Sequence, residues 1–185
     1  MATRPITAPD QPHEAAKDAA GADHRHQVTV FATDVAALVS ASGGWLYDRA
    51  SAGWTVNVVV DTDDVRPLTI LGATPVSADA ASVLDHSAAA NAFAVSADLL
   101  RSDADLRDEV LRLWHSADTE VTVWGQFWPD ELGRRIDPLQ HRLSVAARAF
   151  KAHALAAAGV PHRGVAPTET LFDLGAEAFR PVYPV

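Results

Sequence analysis

The sequence predicts an α/β fold: a single three-layer domain with a mainly parallel or mixed sheet of about five strands and helices on its faces. Three observations predict it. Short β-branched runs alternate along the chain with longer segments whose apolar residues recur every three to four positions. That alternation is the mark of a layered α/β domain. The 185 residues suffice for one domain with a real core and are too few for two comfortable ones. Hydrophobic residues make up 48% and charged residues 21%, the balance of a globular chain rather than a disordered one.

Residues 1–26 read as a disordered lead, polar and proline-bearing, with His13, His24 and His26 at no rigid ligand spacing. Order begins at Gln27–Ala32, a β-branched strand. Thr33 or Asp34 caps the next helix. Val35, Leu38, Val39, Ser42 and Leu46 form its buried face. Gly43-Gly44 inside this pattern either lets another backbone approach closely or breaks the helix. Gly53 is a stop signal. Trp54–Val60 is the strongest strand, nearly continuously apolar as in a buried strand.

Asp61–Pro67 reads as a loop and Leu68–Leu71 as a second short strand. The link between them is too short for a crossover helix, which makes this pair a hairpin or an unusual connection. A helix is expected from Ser77 or Asp79 to about Asn91, and a strand at Ala92–Ser96, with a helix as the rival reading there because alanine dominates. Ser102 or Asp103 starts a helix with the stripe Leu106, Val110, Leu113 and Trp114. Glu120–Trp124 is a strand, and residues 125–138 form a tryptophan-bearing loop. Leu139–Ala158 reads as the longest helix, with Leu143, Ala147, Phe150 and Ala154 buried. The domain runs over residues 27–175, with at most a helical turn near Phe172, and residues 176–185 are an extended tail.

Composition excludes some chemistry. There is no cysteine, so thiolate catalysis, disulfides and cysteine-held metals are absent. With no apolar run of about 20 residues and no apolar leader core, a cytoplasmic location is expected. The net charge of −9 is uneven. Residues 132–168 carry +5 and the remainder −14.

Three segments are candidate sites. Asp61, Asp63 and Asp64 follow the strongest strand, where α/β sheets place their ligands. Paired carboxylates there suit a hard cation such as Mg²⁺; the same residues also make an ordinary solvated turn. An apolar run followed by Asp-x-Asp-x-Val resembles the first motif of haloacid-dehalogenase-type phosphatases and the D-x-D of nucleotide-sugar transferases. The likeness covers five residues, and the lysine such a phosphatase needs has no counterpart except Lys151, in a helix. Gln126, Phe127 and Trp128 form a second candidate, a pocket wall for a planar or sugar-like ligand. The third is a basic interaction surface of Arg134, Arg135, Arg142, Arg148 and Lys151.

The chain contains no G-x-S-x-G, H-E-x-x-H, G-x-G-x-x-G or phosphate-loop motif. Asp85-His86-Ser87 are neighbours in sequence, whereas triads assemble through the fold. The expectation is therefore a non-catalytic binding or interaction domain without a cofactor. It would contact a protein partner or a second copy of itself, while nucleic acid is disfavoured by the acidic balance. The alternative is a metal-dependent enzyme acting on a phosphorylated or sugar-like substrate through Asp61 and Asp63.

Overall fold

The computed structural model describes residues 26–76, 92–115, 119–125 and 137–174. The elements run β1 (Gln27–Phe31), α1 (Val35–Ser51), β2 (Thr55–Val59), α2 (Arg66–Ile70), β3 (Thr74–Val76), β4 (Ala92–Ser96), α3 (Ala97–Ser102), α4 (Ala104–His115), β5 (Glu120–Trp124), β6 (Asp137–Arg142), α5 (Val145–Ala157) and β7 (Thr168–Asp173). The helix expected at 77–91, the lead up to residue 25 and the tail from 176 lie outside the described residues. No helix among the described residues is long and apolar enough to cross a membrane.

Seven strands among the described residues form one sheet, ordered β3-β2-β1-β4-β5-β7-β6. The first five are parallel. The last two run antiparallel to their neighbours. The mainly parallel α/β expectation holds, with two strands more than expected.

Alternation along the strands divides the core into two layers. Val28, Val30, Val56 and Val58 face α1 and α5, where they meet Leu38, Val39, Leu46 and Ala154. Phe31, Phe93, Val95 and Val121 face α3 and α4, where they meet Leu100, Leu106 and Val110. All five residues of the expected α1 face are buried.

Three local expectations are corrected. Leu68–Leu71 is not a strand: Pro67 sits in the first turn of α2, where its fixed φ suits a helix and its missing N–H costs nothing. The strand lies further on at Thr74–Val76 and pairs with β2 in parallel, so there is no hairpin. Leu139–Ala158 is not one helix either. Leu139 belongs to the edge strand β6, and Ser144 caps α5 by accepting the Ala147 N–H at 2.9 Å. Phe150 lies 41% exposed rather than buried. Finally, Phe172 belongs to strand β7 instead of a helical turn.

Gly43-Gly44 does not break α1. It marks the place where the C-terminal elements press on it. A Cβ on Gly44 would stand 2.4 Å from Leu143 Cδ2, so only glycine allows this approach. Glu169 of β7 reaches the same point. Its Oε1 accepts the Gly44 N–H and its Oε2 the Trp45 N–H, each at 2.8 Å. Lys151 Nζ donates to Glu169 Oε1 at 2.6 Å and to the Ser40 carbonyl at 2.7 Å. The ion pair thus engages both ends of one helical rung, the Ser40 C=O and the Gly44 N–H.

Candidate functional site: an acidic cleft at the carboxyl edge of the sheet

The parallel register of β1 and β2 builds the site. Phe31 pairs with Val59, and the Ala32 N–H donates to the Val59 carbonyl at 3.1 Å. The chain segments that leave the two strands therefore emerge side by side, bringing Thr33 and Asp34 next to Asp61 and Thr62. These four residues line a cleft of ≈ 190 Å³, together with Asp64 and Pro67. Ala158, which caps the C-terminus of α5, also lines it.

Each carboxylate is held differently. Asp34 is the N-cap of α1, extended at φ −145 and ψ 125, and its Oδ1 accepts the Ala37 N–H at 2.6 Å. Asp64 Oδ1 accepts the Arg66 N–H at 3.1 Å, and the Asp64 N–H donates to Thr62 Oγ1 at 3.2 Å. Such side chain-to-backbone turns fix a loop without a regular element. Asp61 is exposed and lines the cleft with no hydrogen-bond partner among the described residues.

The structure thus brings Asp61 and Asp64 together and adds Asp34, which sequence reasoning treated only as a cap. Asp63 is exposed and does not line the cleft. Gln126, Phe127, Trp128, Arg134 and Arg135 lie outside the described residues, as do Asp85, His86 and Ser87. The basic surface is corrected at Lys151, which is buried against Glu169 at 8% side-chain exposure. Arg148 is half-buried, and its Nε is buried without a hydrogen-bond partner. Arg142 alone of these three is exposed.

The side chains of the cleft offer only oxygen donors: three carboxylates and two threonine hydroxyls. Among the described residues, no three His, Cys, Asp or Glu side chains stand close enough to share a metal ion. Asp63 does not line the cleft with Asp61, and the described residues by themselves assemble no three-ligand metal site.

Neither a known family nor a curated protein matches the sequence. Solved structures do match the fold. One is a deacetylase triple mutant (Orf2*T) of the teicoplanin biosynthetic pathway, at TM-score 0.55 and 14% identity, covering 80% of this chain and 97% of that one. A second is the A40926 pseudoaglycone deacetylase Dbv21, at TM-score 0.54 and 14% identity, covering 81% and 97%. A third is the zinc-inhibited form of teicoplanin deacetylase Orf2, at 0.54 and 12%, covering 80% and 97%. At this identity the likeness establishes a shared fold.

It also corrects two expectations. These neighbours are deacetylases, which overturns the reading of a non-catalytic protein-binding domain. One of them is described with zinc, which is at odds with the expectation of no cofactor.

Proposed function

We propose that this chain is a hydrolytic enzyme that removes an acyl group from an amine on a sugar-like substrate, bound in the acidic cleft. The observation that carries the reading is that Asp34, Asp61 and Asp64 line one cleft at the carboxyl ends of β1 and β2. Ligands of open α/β sheets bind at that edge. The solved structures of like fold, described as deacetylases, support the reaction class.

The charge of the cleft chooses between the two substrate classes first considered. Three carboxylates repel a phosphate and favour a group that becomes cationic. Hydrolysis of an acylated amine meets that condition. Water adds to the acyl carbon, the C–N bond breaks, acetate leaves, and the amine departs as an ammonium ion. Asp61 is the carboxylate assigned to take the proton from the attacking water, since backbone amides engage Asp34 and Asp64. No step here runs through a metal. The lack of cysteine supports action in the cytoplasm.

The test is amine release from N-acetylated glucosamine oligomers, measured with chelator and with added Zn²⁺, Mn²⁺ or Mg²⁺. Release is expected under at least one condition, and Asp61→Asn should lower it about 10²- to 10⁴-fold, the usual contribution of a general base. Its melting temperature should barely move, because Asp61 is exposed. No release under any condition, or full activity in Asp61→Asn, refutes the reading.

A further inference from the structure

Two helices end or begin at the cleft, α1 with Asp34 and α5 with Ala158. They pack against each other in antiparallel fashion. The Ser144 N–H, at the start of α5, donates to Asp48; Lys151, at its middle, donates to the Ser40 carbonyl; Ala158, at its end, shares the cleft lining with Asp34. The width of the cleft therefore depends on where α5 stands along α1.

Apolar packing fixes that position only loosely. The residues that α5 buries are Ala147, Lys151, Ala154 and Leu155. Opposite them α1 presents Gly43 and Gly44, and an added Cβ on Gly43 would stand 3.5 Å from Lys151 Cγ. Helix register is set by side chains that seat in particular holes of the partner, and alanines against glycines supply few of these. Leu143 seats at Gly44, but it belongs to the segment before α5. The bonds of Asp48, to His141 at 3.0 Å and to the Ser144 N–H at 3.3 Å, lie partly in solvent, where such links hold weakly.

We propose that the buried Lys151–Glu169 pair is a register pin, a positioning pair that sets the end of α5 against the start of α1 across the cleft. Its bonds are directional and select one rung: Lys151 donates to the Ser40 carbonyl, and Glu169 accepts from the Gly44 and Trp45 amides. Apolar side chains of similar volume could stabilise the fold as well, but they would not choose a rung. A slip of α5 by one turn carries Ala158 about 5 Å along its axis. The carboxylates it faces stay with α1 and the Asp61–Pro67 loop. That the slip alters catalysis rests on the acyl-hydrolase reading; the slip itself does not.

The variant Lys151→Met/Glu169→Leu removes the pin and keeps the volume. Because the chain has no cysteine, spin labels can be attached at chosen cysteines, and Ala37, Asp105 and Ala156 are all exposed. Labels at Asp105→Cys and Ala156→Cys report α5 against the far side of the sheet; labels at Asp105→Cys and Ala37→Cys report α1. Pulsed electron resonance should give one narrow distance for each pair in the otherwise unchanged chain. In the double variant the α1 distance should hold, while the α5 distance broadens or gains a second population displaced by up to about 5 Å. Amine release should lose about 10²-fold in kcat, the usual cost of a small misplacement, with KM changed less. An α5 distance as narrow as the original overturns the proposal, and so does a displaced α5 with full activity. Should the double variant not fold, Glu169→Gln with the same labels decides. A displaced α5 beside an original chain that releases no amine upholds the pin and refutes the hydrolase reading. An active chain whose double variant neither shifts nor slows refutes the pin and leaves that reading standing.

Discussion

Glu169 and the cleft aspartates are carboxylates of opposite kinds. Glu169 is 3% exposed and joins three elements, with Lys151 of α5 and the amides of α1 as its partners. Asp34, Asp61 and Asp64 lie exposed at the sheet edge, tied at most to a neighbouring backbone amide. The difference separates two uses of negative charge. A charge out of water is stable only when fully partnered, so it fixes a packing arrangement and can do little else. A charge left in water retains the freedom to meet a substrate. Chemistry therefore belongs to the cleft, although the buried pair has the more elaborate geometry.

The sharpest way to break this comparison is to remove one half of the buried pair. Glu169→Gln or Lys151→Met leaves an uncompensated charge in the core and should cost about 3–5 kcal/mol. Denaturant unfolding measures it. The double variant Lys151→Met/Glu169→Leu should recover much of the loss, because the unpaired charge is then gone. A loss under ~1 kcal/mol for either single change would show that water reaches the pair, and the contrast with the cleft would disappear.

Gly44 sharpens the same comparison from the packing side. Gly44→Ala gains about 1 kcal/mol of helix propensity, yet its Cβ would collide with both Leu143 methyl groups, at 2.4 and 2.5 Å. Leu143 is buried and cannot simply swing into solvent. A net loss of about 1–2 kcal/mol is expected from the overpacking. Leu143→Ala in the same chain should remove the collision, leaving the pair closer to additive cavity loss than to clash. Net stabilisation by Gly44→Ala alone would mean that α1 and the segment before α5 are free to separate.

Much of this frame was legible in the sequence. The strands β1, β2 and β5 are β-branched runs with clear ends, β4 is an alanine-rich run that leaves helix open, and the stripe from Val35 to Leu46 marks the buried face of α1. The failures share a cause. Leu68–Leu71 is a short apolar run and Leu139–Leu143 holds only two apolar residues, so in neither can the period separate strand from helix. The deciding signals were Pro67 and Ser144 at helix starts. Asp61 and Asp64 could be placed because they follow a strong strand. Asp34 could not be joined to them, since the parallel register of β1 and β2 that brings it there is a long-range fact. Lys151 read as part of a basic surface because nothing local announces Glu169 as its partner, 18 residues away.

Glu109 stands between the two kinds of carboxylate and provides the finest test. It lies on α4 and forms a two-pronged contact with Arg112, whose Nε donates at 2.8 Å. That hydrogen bond, opposed by partial burial and aided by the guanidinium charge, holds the Glu109 carboxyl below the usual glutamate range. Its folded pKa therefore lies below its unfolded one. The stabilisation is present at pH above the unfolded value and is lost as pH falls through the folded value. Arg112 is well exposed, so solvent screens the pair, and Glu109→Gln should cost only about 0.2–0.5 kcal/mol at pH 7 and low salt. The cost should shrink in high salt and vanish well below pH 4, where the wild-type carboxyl is protonated too. Paired melts of the two proteins at pH 7 and in acid read this directly. A cost that stays constant with pH would assign Glu109 a packing role like that of Glu169, and partial exposure would then no longer separate the two kinds of carboxylate.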